Sequence, residues 1–395
     1  MSKVKPVFKK ISSLIVILLL IIITFSYAMF QGGFVSWFLF YSLIPFLLYS
    51  FSLALVPINI QNVHREIMPS VVERGDSVRV TIHFQNKTWF PLIFLTVREI
   101  DLEKQFFDKA TGNISNIFFV GWKRKFEWTY EIRNLNRGQF TFQGLEFTVT
   151  DFFGWTVRKK RTNDTQSFTV YPRVTELKYQ QIQMQYDQGG IASVVPIVKD
   201  TSMVTGVRDY QAGDRFSWIH WKSFAKNETL RTKEFEDRTT QHIFLCIDRT
   251  HFYNFEEVVD LSASILRSVV KNQGDISFLS YGDTRSFFPN IKTQSQFQKV
   301  LKHLATVLPD ATDSIYSILT KELNHLSSST FIFITGNFSD EMSHFFMNSS
   351  NLMRGAICFV VDDGNMLTKR NYPNVKVITL SKEHFKNAFT EVSKP

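Results

Sequence analysis

From Ile11 to Val63 the chain contains no Asp, Glu, Lys or Arg. Uncharged sequence of that length is not the surface of a water-soluble domain. Within it, ISSLIVILLLIIITFSYAMF (Ile11–Phe30) and FVSWFLFYSLIPFLLYSFSLALV (Phe34–Val56) each meet the need for about 20 apolar residues to cross a bilayer. Gln31-Gly32-Gly33 leaves room only for a tight turn, so the two segments predict a transmembrane hairpin within residues 1–58, with both ends on one side. Trp37, Tyr41 and Tyr49 are amphipathic aromatics suited to the interfaces, and Pro45 is tolerable inside a span. Lys3, Lys5, Lys9 and Lys10 precede the first span and Arg65 and Arg74 follow the second. The positive-inside rule then places the N-terminus and the bulk of the chain on the cytoplasmic side of a cell membrane. A cleaved signal peptide is the alternative for Ile11–Phe30, but no A-x-A site follows and a second span begins at once.

The chain has 395 residues, 44% hydrophobic and 21% charged, which suits two or three folded domains of about 100–200 residues each. Cys246 in HIFLCI and Cys358 in AICFVV sit in apolar runs and read as buried core thiols of a reducing compartment. The net charge of +9 includes the clusters Lys123–Lys125 and Arg158–Arg161. Beside a membrane, such cations gain about 1 kcal/mol each from an anionic leaflet. No nucleic-acid recognition motif accompanies them, so the expected partner of this charge is lipid.

From residue 59 to 175 the pattern is strand after strand. SVRVTIHFQN, FEWTYEI and FTFQGLEFTV alternate apolar and polar residues, and turns at Arg74-Gly75-Asp76, Asn136-Arg137-Gly138 and Asp151–Gly154 separate them. This predicts an immunoglobulin-like β-sandwich. Leu177 to Gly206 reads as irregular loop, within a linker spanning 176–240. From 241 to 395, short apolar strands (HIFLCID, DISFLSYG, TFIFITG, GAICFVVDDG, VKVITLS) alternate with helical segments. The helices expected are FEEVVDLSASILRSVVKN, QFQKVLKHLATVL, DSIYSILTKELNHL, SDEMSHFFMNSSNL and one at the C-terminus. That alternation predicts a doubly wound α/β domain with a parallel sheet covered on both faces.

Ligands of such sheets gather at the carboxyl ends of the strands. The first strand ends in Asp248-Arg249-Thr250-His251-Phe252, which resembles the Asp-x-Ser-x-Ser loop of von Willebrand factor A domains, where Mg²⁺ binds with help from a later Thr and Asp. A hard cation wants this kind of oxygen set. Asp248 and Thr250 are candidate ligands, with Thr312 or Asp313 for the middle position. Phe252 cannot ligate, and Ile334-Thr335-Gly336 stands where the late Asp would be. The expectation is a von Willebrand-like domain with a decayed metal site; a Mg²⁺-dependent binding domain is the alternative.

One stretch concentrates polar chemistry: GVRDYQAGDRFSWIHWKSFAKNETLRTKEFE, Gly206–Glu236. A hydrolase reading has His220 as base, Asp209 or Asp214 orienting it, and Arg208 or Arg215 holding an anion. Ser217 and Ser223 are the available nucleophiles, and neither lies on a glycine-flanked elbow. No phosphate-binding glycine motif is present. Asp214 is expected to cap a helix starting at Arg215, with Trp218, Trp221 and Ala225 on one face. From Gly206 to Arg238 there are seven Lys/Arg against six Asp/Glu. Near balance around two tryptophans points to internal pairing, a brace joining the sandwich to the α/β domain, ahead of a partner-docking surface and of catalysis.

The same stretch resembles the signature of the domain of unknown function 58 family, R-x-Y-x-x-G-D-x-x-R-x-I-x-W-K. Arg208, Tyr210, Gly213, Asp214, Ile219, His220, Trp221, Lys222 and Ala225 match it or fill its positions, followed by Lys233-Glu234-Phe235-Glu236. Ser217 stands where Arg is usual and Ala212 where Pro is common. Asn136-Arg137-Gly138, Asp151–Trp155 and Val170-Tyr171-Pro172 are similar to further family turns. The resemblance implies a membrane-anchored, non-enzymatic adaptor without a cofactor. Its implied partners are a MoxR-type AAA+ ATPase and, by association, a transglutaminase-like membrane protein.

Overall fold

A computed structural model describes residues 4–100, 110–111, 115–178, 200–211, 214–236, 242–312, 330–348, 356–362, 368–372 and 375–393. By its internal contacts the chain divides into two units, Met1–Pro172 and Arg173–Pro395.

The first unit opens with helices α1 (Val4–Gln31) and α2 (Phe34–Leu55), both long and apolar enough to cross a membrane. Gly32 and Gly33 join them at φ 59° and 87°, backbone that side-chain-bearing residues rarely adopt. Among the described residues eleven strands follow: β1 (Ile60–Met68), β2 (Val72–Glu73), β3 (Val78–Asn86), β4 (Leu92–Glu99), β5 (Ala110–Thr111), β6 (Ser115–Gly121), β7 (Lys125–Ile132), β8 (Gly138–Phe142), β9 (Leu145–Thr150), β10 (Val157–Thr162) and β11 (Gln166–Tyr171). They form four-stranded sheets ordered β1-β3-β7-β5 and β10-β9-β4-β6, with a smaller sheet β2-β11-β8. Alternation in β3 places Val78, Val80, Ile82 and Phe84 inward; they share one core with Leu95 and Val97 of β4 and Phe147 and Val149 of β9. The Phe84 and Phe147 rings meet at 5.2 Å across the two sheets.

A polar cluster is buried in this core. Arg65 lies on Glu99 at 3.0 Å with both side chains fully buried, and stacks 4.5 Å over Phe142. The Tyr130 hydroxyl donates to Glu99 at 2.9 Å, and Arg65 also donates to the Asp164 carbonyl at 3.2 Å. Burial pushes the Glu99 and Tyr130 pKa values up.

The opposite end of these sheets grips α2. Ser50 donates to Asp151, whose other oxygen accepts from the Thr156 amide at 3.2 Å, while the Thr156 hydroxyl donates to the Ser50 carbonyl at 3.1 Å. The Tyr49 hydroxyl donates to the Pro91 carbonyl and accepts from the Ile93 amide. The Arg158–Arg161 cluster is engaged here and nearby. Arg158 donates to the Ala54 carbonyl, Lys160 to the Ile60 carbonyl, and Lys159 and Arg161 pair with Glu146.

In the second unit, β12 (Asp200–Asp209) pairs antiparallel with β13 (Arg231–Glu236). The loop expected up to Gly206 is therefore a strand from Asp200 onward: its residues pair with partners 22 to 36 positions away, which local pattern cannot show. The seven-stranded sheet runs β16-β15-β14-β17-β18-β20-β19, from β14 (His242–Asp248), β15 (Asp275–Tyr281), β16 (Arg285–Ile291), β17 (Thr330–Thr335), β18 (Ala356–Val361), β19 (Thr368–Tyr372) and β20 (Val375–Leu380). Its centre is parallel, as expected; β16 and β19, unread in the sequence, are antiparallel edges. One face buries Phe244, Cys246, Phe331, Phe333 and Cys358 against Met342, Phe345 and Phe346. The alternate residues Ile243, Leu245 and Ile247 face the other side.

Among the described residues, the helices of this unit are α3 (Trp221–Asn227), α4 (Phe255–Lys271), α5 (Gln294–Thr306), α6 (Asp340–Asn348) and α7 (Ala388–Ser393), with 3-10 turns at Phe216–Trp218 and Lys382–Asn387. α5 opens with a capping box, Thr293 and Gln296 satisfying each other's backbone amides. Both cysteines are buried and neither is in a disulfide. The expected helix DSIYSILTKELNHL lies outside the described residues.

Candidate functional site

The signature stretch is a two-stranded ribbon whose connection folds back on it. Arg208 stands opposite Thr232 and Asp209 opposite Arg231. Asp214 takes the Arg208 guanidinium at 2.7 Å on one oxygen; on the other it takes the Gln211 amide at 3.0 Å and the Thr232 hydroxyl at 3.1 Å. Those donors, Arg208 first, hold its pKa down at about 2. Asp214 is thus an ionised turn-former, not the cap of a helix beginning at Arg215. That segment forms the short 3-10 turn, with Arg215 stacked 5.3 Å over Trp218.

α3 begins six residues later than expected and is capped by His220, whose Nδ1 accepts the Ser223 amide at 3.2 Å and lies 2.6 Å from the Ser223 hydroxyl. Trp218 and Trp221 therefore do not share a helix face. His220 is oriented by Ser223 and by its own amide, which donates to the Arg231 carbonyl; Asp214 bonds elsewhere and Asp209 faces Arg231 at 3.4 Å. Among the described residues no carboxylate orients the imidazole. Ile219 and Thr232 are buried beneath, and the Tyr210 amide ties back to the Leu230 carbonyl. Phe216, Trp221 and Phe224 are exposed, as are Lys222 and Ala225. Gly213 lies outside the described residues.

The end of β14 is the second place where chemistry was expected. Asp248 is 3% exposed. One carboxylate oxygen accepts from the amide and hydroxyl of Thr250 at 2.9 and 2.8 Å, and the other lies 2.7 Å from the Thr335 hydroxyl. Burial nonetheless raises its pKa. Arg249, 5% exposed, pairs with Asp310 at 2.6 Å and donates to the Leu308 carbonyl and Ser280 hydroxyl. Gly282 and Gly336 leave the space these side chains fill. A Cβ on Gly282 would strike Asp310 and Arg249; one on Gly336 would strike Asn254 and the Phe252 ring.

These residues do not fit a divalent cation. One carboxylate has both oxygens engaged, an aromatic ring takes the third loop position, and a guanidinium sits alongside. Asp248 and Thr250 do come together as the sequence suggested. Thr312 is exposed, and Asp313 lies outside the described residues. Thr335, Arg249 and Asn254 went unread because their partners lie far off in the chain, on other strands and in the segment after α5. No group of three or more His, Cys, Asp or Glu suited to a metal occurs among the described residues.

Fold and site together define a protein with two apolar N-terminal helices, a β-sheet unit fastened to them, and an α/β unit carrying the Arg208–Asp214 ribbon. Residues 206–351 match the model of a family described as "Protein of unknown function DUF58". The chain is also 33% identical over 335 residues to the uncharacterized protein YeaD of Bacillus subtilis (strain 168), covering 84% of each. It belongs to the DUF58 family. Among solved structures, the CARDB domain of a Pyrococcus furiosus protein is similar over 29% of this chain and 91% of its own, at 19% identity and TM-score 0.20. The human F-spondin reeler domain covers 28% and 89%, at 10% identity and TM-score 0.17. Scores at that level do not establish a shared fold.

Proposed function

We propose that this chain is a membrane-anchored scaffold: a hairpin in the bilayer, an immunoglobulin-like sandwich beneath it, and a von Willebrand-like α/β unit presented to a cytoplasmic partner. The observation that carries this reading lies in the signature ribbon. Arg208 is paired with Asp214, Asp209 with Arg231, and His220 is held by Ser223, while Phe216, Trp221 and Phe224 stand exposed beside them. Large aromatics on a pre-ordered scaffold are what protein interfaces use as anchors. The strand order, with Asp248 ending β14, supports the von Willebrand comparison for the α/β unit. The resemblance described above names the partner, a MoxR-type AAA+ ATPase.

Crosslinking in native membranes tests this. The ATPase should be recovered with the wild type and lost with Trp221→Ala, whose exposed side chain can be removed without unfolding the ribbon. Failure to recover an ATPase known to be present would sink the partner assignment. Undiminished recovery with Trp221→Ala would move the docking surface elsewhere.

A further inference from the structure

The end of the sandwich that receives α2 carries three loops, because β3, β6 and β9 run toward it and β4, β7 and β10 run away. Residues 87–91 present Lys87 and Trp89, the latter 68% exposed; residues 122–124 present Trp122, 70% exposed, and Lys123, with Lys125 next; residues 151–156 present Phe152 and Phe153. The loops touch the helix and each other. Phe46 lies 5.4 and 5.8 Å from Phe152 and Phe153, Tyr49 stacks on Phe90 at 5.3 Å, and Arg124 donates to the Thr88 carbonyl at 3.0 Å. Asp151 is the sole carboxylate in these loops, and it is buried under Ser50.

Length decides what covers this end. At 1.5 Å per residue, Phe34 to Phe46 spans about 18 Å and Phe34 to Leu55 about 32 Å. The hydrocarbon core is about 30 Å thick. The stretch of α2 ahead of the loop aromatics is thus shorter than the core is thick, which draws this end of the sandwich against the bilayer.

We propose that this end of the sandwich is seated in the lipid interface, with Trp89, Trp122, Phe152 and Phe153 at the acyl boundary and Lys87, Lys123 and Lys125 on anionic headgroups. Aromatic rings with flanking cations are the side chains that interface favours. The inference rests on the reading of α1 and α2 as membrane spans.

The test uses the full chain in nanodiscs of phosphatidylcholine with and without phosphatidylglycerol. Nitroxides are placed by Trp89→Cys, Trp122→Cys and Phe153→Cys; Cys246 and Cys358 are buried and escape labelling. Arg133→Cys, beyond the far end of β7 and roughly 25 Å away, is the aqueous reference. Phe38→Cys, on the exposed face of α2, reports the span itself. Relative accessibility to oxygen over a nickel chelate should be several-fold higher at 89, 122 and 153 than at 133. The combined Lys87→Gln, Lys123→Gln, Lys125→Gln variant should lose any deepening that phosphatidylglycerol produces. Lipid-like accessibility at 38 with water-like values at 89, 122 and 153 would overturn the proposal and leave the membrane reading intact. Water-like values at 38 as well would overturn both. Low accessibility to both reagents at the three sites would show that protein covers them, and would overturn it too. An unchanged phosphatidylglycerol response in the lysine variant would overturn the headgroup contacts.

Discussion

Ser50, inside the second apolar helix, donates its hydroxyl to Asp151, which opens the turn between β9 and β10. The bond joins residues 101 positions apart and is closed on both sides by Thr156. It makes the helix end part of the β-sheet unit.

Asp151→Ala would leave the buried Ser50 and Thr156 donors without an acceptor, a loss of about 2–4 kcal/mol. The expected outcome is a lower unfolding midpoint of the full chain in detergent. Ser42→Ala is the control, since the Ser42 hydroxyl bonds only within its own helix, to the Phe38 carbonyl. Equal midpoints for the two variants would show that the helix end is not fastened through Asp151.

The Arg65–Glu99 pair makes a sharper case because both side chains are fully buried. Arg65→Ala strands a buried carboxylate and should cost about 3–5 kcal/mol. Arg65→Met combined with Glu99→Gln keeps an acceptor for Tyr130 and removes both charges, so most of that loss should return. Chemical unfolding of the three proteins, monitored by far-ultraviolet dichroism, reads the difference.

At the β14 end, Mg²⁺ should leave thermal stability unchanged, because Asp248 already satisfies Thr250 and Thr335. Gly336→Ala should destabilise by about 1–3 kcal/mol by overpacking against Phe252 and Asn254. A Mg²⁺-dependent rise in midpoint would contradict the geometry.

His303 in α5 packs 5.2 Å from Phe288, and its buried Nε2 has no hydrogen-bond partner among the described residues. Burial, with Arg249 nearby, lowers its pKa from 6.5 to about 4. Between those values the unfolded chain binds a proton that the folded chain does not. Stability should therefore be complete above pH 6.5, fall as pH drops toward about 4, and level off below. His303→Phe should flatten that window in a series of unfolding midpoints against pH; an unchanged slope would assign the effect to other groups.

Local pattern carried much of the architecture. The charge-free run from Ile11 to Val63 marked the two apolar helices, strict alternation marked β3, and the unbroken apolar run ending at Asp248 marked a central strand. Edge strands escaped because exposure removes the pattern. β16 contains Pro289 and exposed residues, which an edge accommodates, and β19 is short and polar. β12 escaped because its partner comes after the whole Asp214 connection.

The sequence by itself determined the apolar helices and the buried strands, and which residue types stand at the strand end and in the signature. Tertiary structure alone decided what those residues do. Asp248 meets Thr335 across 87 positions, His220 turns to Ser223 instead of Asp214, and Phe252 fills the space that Gly336 leaves. Helix and strand periodicity is written in near neighbours, whereas the partner of a buried polar group is set by how distant strands pack.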